Sequence, residues 1–310
     1  MNSGDLIVVT GLTASGKSDF ALRCVEYLKN TRGIEAEIVN ADSIQMYDEL
    51  KILTAYPSAE QLNRVPHHLY GILSPNEDSS VAKWLEIADE KINFLRKAGK
   101  IPIVCGGTGF YVSALIGGIS NIPQIPRNVR EEVARKFQTL GREAFFNELK
   151  ILDPESGNIL HKNDAQRILR AYEVASYTGK TLSEWQKVGK EGGYQATITI
   201  LLPPRNKLNE KCLARVNKMA ESGAADEVKA FIEKYPDYRG PLSNVIGYRE
   251  IISLLKGEIS REKCIDLMYI RTKQYAKRQS VWFRNKLPSS KPVYKFGNEI
   301  DPAICEKNFE

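Results

Sequence analysis

The chain has 310 residues, enough for one large domain or two smaller ones, and its 42% hydrophobic and 26% charged residues are ordinary for a globular protein. Forty-four basic residues against 38 acidic ones give a formal charge of +6, a mild excess that is compatible with an anionic partner without demonstrating one. No run of about 18 apolar residues occurs, which argues against a membrane-spanning helix, and the opening MNSGDLIVVT passes directly into a strand-like run that leaves no room for a leader peptide. From the N-terminus, LIVVT (6–10) predicts a strand, and a helix follows from about Lys17 to Lys29. AEIVNADS (36–43) predicts a second strand, residues 79–98 a helix, and KIPIVCGGTGFY a third strand ending in glycines. Short apolar runs separated by helix-length segments imply an α/β fold, a parallel sheet with helices on both faces, whose ligands lie beyond the carboxyl ends of the strands. Three of those ends carry unusual polar residues: the loop after Thr10, Asp42 with Ser43, and Gly106 to Thr108.

From NIPQIPRNVREEVARKF to about Tyr194 the chain is rich in helix formers and charge, which predicts a helical insertion opened by Pro123 and Pro126. ATITILL (196–202) returns to a strand, and residues 207–286 are again helical in pattern. The expected organisation is a core of residues 1–120 and 196–290, an insertion of residues 121–195, and a polar C-terminal tail of residues 291–310. Cys24, Cys105, Cys212, Cys264 and Cys305 form no C-x-x-C pair; His67 and His68 are adjacent and His161 is remote. That spacing predicts neither a structural zinc site nor a disulfide framework, and suits a reducing cytoplasm.

Gly11-Leu12-Thr13-Ala14-Ser15-Gly16-Lys17-Ser18 fits G-x-x-x-x-G-K-[ST] between a strand and a helix. The glycines let backbone amides turn toward an anion, Lys17 adds a point charge, and Ser18 can ligate Mg²⁺ at the helix start. The motif points to phosphate binding without saying whose phosphate: a kinase, an ATPase and a transferase with a diphosphate leaving group all fit. A nucleotide hydrolase adds a strand ending in an acid, yet IPIVCGG ends in glycines. The acid stands earlier, at Asp42, where it could hold a metal, cap a following helix or act as a base.

NADSIQMY (40–47) contains D-S-x-Q-x-Y and CGGTGFYVSAL (105–115) contains G-G-T-G-x-Y. With the phosphate loop, PHHL (66–69), HKNDAQRILRAYEV (161–174), SGAADEV (222–228), IGYRE (246–250) and RTKQYAKRQSVWFR (271–284), the chain resembles the tRNA dimethylallyltransferases over residues 6–286. The resemblance implies a P-loop NTPase-like parallel sheet core with a helical insertion domain. It implies transfer of a dimethylallyl group from dimethylallyl diphosphate to N6 of the adenine just 3′ of the anticodon. The implied partners are that diphosphate and the tRNA anticodon stem-loop, with Mg²⁺ as cofactor, no membrane, and a monomeric cytoplasmic enzyme. By resemblance, Asp42 is the base, Thr108 touches nucleotide and leaving group, and Arg215 stabilises the diphosphate held by Gly11, Thr13, Ala14, Ser15, Gly16, Lys17 and Ser18. Ser43 and Gln45 would read the extruded base, while Asp42, Ile44, Thr108, Arg130, Gln166, Arg167, Ile168, Leu169 and Arg170 would also contact tRNA. The family has proline where Leu12 stands, and glycine and lysine where LTAYP (53–57) has Leu53 and Tyr56. The cysteine–histidine spacing of the zinc finger in eukaryotic members is lacking, so the chain is similar to the bacterial type.

The residues themselves support RNA binding: eight Lys or Arg lie between Arg261 and Lys286 against Glu262 and Asp266, and Arg127, Arg130, Arg135 and Arg142 mark the insertion. Met46 and Tyr47 read as packing residues. Alternatives from other classes are a small-molecule kinase, a non-catalytic RNA-binding protein, and an isopentenyltransferase acting on free adenine nucleotides.

Overall fold

The computed structural model describes residues 6–189, 192–287 and 291–306. The first half alternates: β1 (Ile7–Gly11), α1 (Lys17–Arg32), β2 (Ala36–Asn40), two short helices α2 (Lys51–Thr54) and α3 (Ala59–Arg64), β3 (His67–His68), α4 (Val81–Lys97), β4 (Ile101–Gly106) and α5 (Gly109–Gly117). Four helices follow, α6 (Arg127–Leu152), α7 (Pro154–Ile159), α8 (Ala165–Thr178) and α9 (Leu182–Lys187). The chain then runs through β5 (Thr197–Leu201), α10 (Arg205–Glu221), α11 (Ala224–Lys234), α12 (Tyr248–Leu255), α13 (Arg261–Lys286) and β6 (Lys291–Val293).

The six strands form one sheet in the order β3-β2-β4-β1-β5-β6, with every pairing parallel. Parallel sheets need both faces covered, and the alternation along the strands supplies two cores. Ile7, Val9, Ile38, Ile103 and Cys105 pack with Phe20, Leu28 and their neighbours on α1. Val8, Val39 and Val104 face the opposite side with Trp84, Tyr111, Cys212, Val216 and Phe283. α1 ends on Gly33 (φ 64°), whose N–H donates to the Lys29 carbonyl while that of Ile34 reaches Leu28, a glycine stop of Schellman type. Trp84 is fully buried, stacks on Tyr111 at 4.5 Å and donates Nε1–H to the Asn40 carbonyl at 2.8 Å. Trp84→Ala is therefore expected to lower unfolding stability by about 3–5 kcal/mol, read from denaturant midpoints; a loss below about 1 kcal/mol would contradict its place at the centre of that core.

Contact density divides the described residues into two units. One comprises the residues up to Ile116 and those from Tyr194 on; the other is Gly117–Gly193. The second unit packs Val133, Phe145, Phe146 and Leu149 of α6 against Ile168 and Ala171 of α8, and α6 bends at Gly141 (φ 74°).

Three sequence expectations are corrected in the first unit. Residues 291–306 are not a polar tail: β6 pairs with Thr199–Leu201, and Phe296, Ile300 and Cys305 are buried, the last two in the core formed with α1. Their apolar residues are single and irregularly spaced, so no strand or helix period marks them in the sequence. Cys24 of α1 and Cys305 are joined by a disulfide, a pairing 281 residues apart that spacing could not reveal. β3, only two residues long, was not predicted either. The strand expected over 36–43 stops at Asn40, whose side chain bonds Asp42 in place of a ladder. Among the described residues no helix is long and apolar enough to cross a membrane.

Candidate active site

The phosphate loop leaves β1 at Gly11 (φ 141°), where a side chain would strike the Leu201 carbonyl at 2.3 Å, so only glycine fits. Leu12 donates its N–H to that carbonyl at 3.1 Å and buries its side chain in the core. A proline could not make that bond, which gives Leu12 a physical reason of its own. Ala14 (φ 59°) and Gly16 (φ 80°) turn the loop back toward α1. Ser15 is buried within it, while Lys17 and Ser18 open α1 toward a cavity.

Beside the loop, Asn40 fixes the end of β2. Its Oδ1 accepts the Asp42 N–H at 2.8 Å, and its Nδ2 donates to the carbonyls of Asp42 and Leu69, both at 3.0 Å. Asp42 Oδ1 accepts the Ile44 N–H at 3.1 Å. No helix begins at this point, so Asp42 is not the helix cap that was one reading of its position. At the end of β4, a side chain at Gly106 would collide with the backbone of Ala41, so the two strand ends touch. The Thr108 hydroxyl accepts the Ser43 N–H at 2.9 Å and donates to Ser43 Oγ at 3.3 Å.

These ends border a cavity of about 330 Å³ lined by Thr13, Lys17, Ser18, Asp42, Ile44 and Gln45. Arg215 of α10 enters the same wall, so the structure brings the loop, Asp42 and Arg215 together. Ser43 and Thr108 stay behind it and bond each other. Gln45 lines the cavity, but its amide donates to the carbonyls of Thr54 and Ala55, at 3.0 and 2.8 Å. That bond braces α2, which contributes Leu53 to the wall. Tyr56 instead packs edge-on against Tyr70. The remaining wall is apolar where Leu53, Val216, Met219, Val245 and Met268 line it.

Sequence reasoning missed the wall supplied by α13. Thr272, Tyr275, Arg278 and Gln279 all line the cavity, and Gln279 bonds the backbone of both Thr13 and Gly107. They lie in RTKQYAKRQSVWFR, a segment whose basic residues drew attention to RNA and away from the phosphate loop 266 residues earlier.

Burial lowers the pKa of the Lys17 ammonium, against opposing pulls from Cys105 and Asp42. It lowers that of the Arg215 guanidinium too, against Asp42. Two partly desolvated cations that share the influence of one carboxylate make a site that favours an incoming anion. Burial also pushes the Cys105 thiol up to about 12, which removes it as a nucleophile near neutrality. Among the described residues no cluster of three or more His, Cys, Asp or Glu could hold a metal ion by itself. The exposed hydroxyl of Ser18 lines the cavity and is an oxygen of the kind that suits Mg²⁺, which keeps waters and takes its other ligands from substrate phosphates.

Of the insertion residues expected to meet RNA, Gln166, Arg167 and Arg170 are exposed on α8, and Arg130 and Leu169 are partly buried. Ile168 is fully buried in that unit's core, which corrects the expectation of an RNA contact through its side chain. Arg167 lies 3.5 Å from Asp164, and Arg170 lies 3.6 Å from Glu173.

The model of the family described as IPP transferase matches residues 45–286. The tRNA dimethylallyltransferase of Rhizobium etli is 40% identical over 289 residues, covering 92% of this chain and 95% of that protein. Its namesake from Pelagibacter ubique is 39% identical over 286 residues, covering 92% and 90%. Among solved structures, the full-length tRNA isopentenylpyrophosphate transferase of Bacillus halodurans aligns with a TM-score of 0.65 and 30% identity, over 94% of this chain and 89% of that one. A eukaryotic dimethylallyltransferase captured acting on tRNA aligns with a TM-score of 0.81 and 25% identity, over 94% and 74%.

Proposed function

The chain belongs to the IPP transferase family, and on that premise we propose that it transfers a dimethylallyl group from dimethylallyl diphosphate to tRNA. The acceptor is N6 of the adenine just 3′ of the anticodon, and the products are N6-isopentenyladenosine and diphosphate. The observation that carries this reading is one cavity whose lining holds both the cations Lys17 and Arg215 and the apolar side chains Leu53, Val216, Met219 and Met268. An allylic diphosphate needs both kinds of lining, cations for its diphosphate and apolar side chains for its five-carbon chain.

Lys17, Arg215 and the loop amides receive the charge that develops on the leaving diphosphate as the C1–O bond breaks. The N6 amine is a poor nucleophile because its lone pair is shared with the ring. Asp42, which lines the same cavity, takes the N6 proton as the N–C1 bond forms. Ser18 would hold Mg²⁺, which would supply further positive charge to the diphosphate. The target base reaches the cavity by leaving the stack of a single-stranded loop. Incubation of the protein with labelled dimethylallyl diphosphate and either unmodified tRNA or AMP tests the acceptor. Label on tRNA alone is expected; label on AMP at a comparable rate would transfer the reading to free nucleotides.

Arg167 and Arg170, exposed on α8, would meet RNA phosphates. Affinity for tRNA should then fall with salt, at about −0.7 in log–log slope per phosphate neutralised on a single strand. Arg167→Ala is expected to weaken binding and flatten the slope by about that amount. An unchanged affinity and slope would remove Arg167 from the RNA contact.

A further inference from the structure

The groups that serve the transfer come from separate loops, and one buried side chain ties those loops together. Gln279 of α13 accepts the Thr13 N–H on Oε1 at 2.8 Å and donates from Nε2 to the Gly107 carbonyl at 3.0 Å. It thus joins the phosphate loop to the turn after β4 from a helix near the far end of the chain. A methyl built on Gly107 would lie 3.0 Å from Gln279 Nε2, 3.4 Å from Asp42 Oδ2 and 3.6 Å from Lys17 Nζ. The amide therefore sits where the acid and the ammonium converge. Beyond Gly107 the ties continue into the segment that carries Asp42: Thr108 donates its N–H to the Ala41 carbonyl at 3.1 Å, and its hydroxyl accepts the Ser43 N–H at 2.9 Å.

The bridge needs an acceptor and a donor on one side-chain end. A carboxylate offers only acceptors, an ammonium only donors and a thioether neither. Both backbone groups it satisfies are buried, so the bond matters for geometry as well as for stability.

We propose that Gln279 is a positioning residue for the transfer. Its carboxamide holds the phosphate loop against the Gly107–Thr108 turn and so sets the separation between Lys17, on the leaving group, and Asp42, on the attacking amine. This rests on the reading of the site given above. A displacement of about 1 Å between reacting groups costs on the order of 10²-fold in rate, which is the scale of effect a lost bridge can have.

Gln279→Met removes both bonds at nearly constant volume. Its kcat for prenyl transfer, normalised to folded protein, is expected to fall roughly 30–100-fold while tRNA affinity stays within about twofold of wild type. Gln279→Glu keeps the acceptor for Thr13 but sets an oxygen against the Gly107 carbonyl, so it should lose activity on the same scale. If the methionine variant does not fold, Gly107→Ala tests the bridge from its other end by crowding the same amide; about a 3–10-fold loss in kcat is expected. A kcat within twofold of wild type in a folded variant at Gln279 overturns the inference, as does a loss confined to the KM for tRNA. The wild-type protein in the same assay checks the underlying reading separately. Should it transfer nothing, titration with inorganic pyrophosphate still tests the bridge, because a loop released from Gln279 should bind that anion at least about fivefold more weakly.

Discussion

Asp42→Ala is expected to reduce the single-turnover rate of prenyl transfer by about 10²–10⁴-fold, or about 3–5 kcal/mol in barrier, with little change in tRNA affinity. Asn40 holds the Asp42 backbone on both sides, and Ile44 takes one carboxylate oxygen at 3.1 Å. The remaining oxygen, Oδ2, is on the side of Gly107 and Lys17. A carboxylate in that position can accept the proton that adenine N6 must lose, and among the described residues no other carboxylate lines the cavity. Asp42→Asn keeps the shape and the bond to Ile44 but accepts no proton, so it should be nearly as slow as the alanine variant. Rates are best measured with enzyme in excess over labelled tRNA, so that product release does not mask the chemical step. An asparagine variant within tenfold of wild type would remove Asp42 as the base.

Lys17→Met should cost about 10²–10³-fold in kcat/KM for the allylic diphosphate. In the structure Lys17 Nζ donates to the Leu12 carbonyl at 3.1 Å, inside the phosphate loop, and burial has already lowered its pKa. Part of its solvation has thus been given up before any anion arrives, and a diphosphate supplies counter-charge. Because charge on the bridging oxygen grows as C1–O breaks, the loss should appear in kcat as well as in the KM for the diphosphate, and hardly in the KM for tRNA. Equal kinetics for wild type and the methionine variant would place leaving-group stabilisation on Arg215 and the loop amides alone.

The parts of this site that were readable from the sequence are local. Gly11 to Ser18, Asp42 with Ser43, and Gly106 to Thr108 each lie within a few residues of a strand end, so strand, turn and chemistry coincide in one short segment. Arg215 was reached only through resemblance to a family, since a lone arginine in a helical run carries no signal of its own. Gln279 bonds residues 266 and 172 positions away, and such contacts leave no periodicity to detect. Glu227 likewise accepts the N–H groups of Ile52 and Leu53 from 175 and 174 residues away, and so fixes the backbone at Leu53, which lines the cavity. The C-terminal segment was misjudged for a related reason. Gly297 donates its N–H to the Ser15 carbonyl at 3.0 Å and lies too close to Gly16 for any side chain, but a glycine among polar residues reads as a loop. In the insertion, the sequence showed helices and charge, whereas the burial of Ile168 depended on which face of α8 meets α6.

The central claim is that the phosphates held by the loop leave together as diphosphate when the prenyl group reaches adenine. The most direct measurement counts both products in one reaction of the protein, dimethylallyl diphosphate and an unmodified anticodon stem-loop, with ATP also present. Diphosphate released and N6-isopentenyladenosine formed at the adenine 3′ of the anticodon should match one to one, with ATP left intact. Hydrolysis or transfer of the ATP γ-phosphate without prenylated RNA would contradict the account and return the phosphate loop to the kinases.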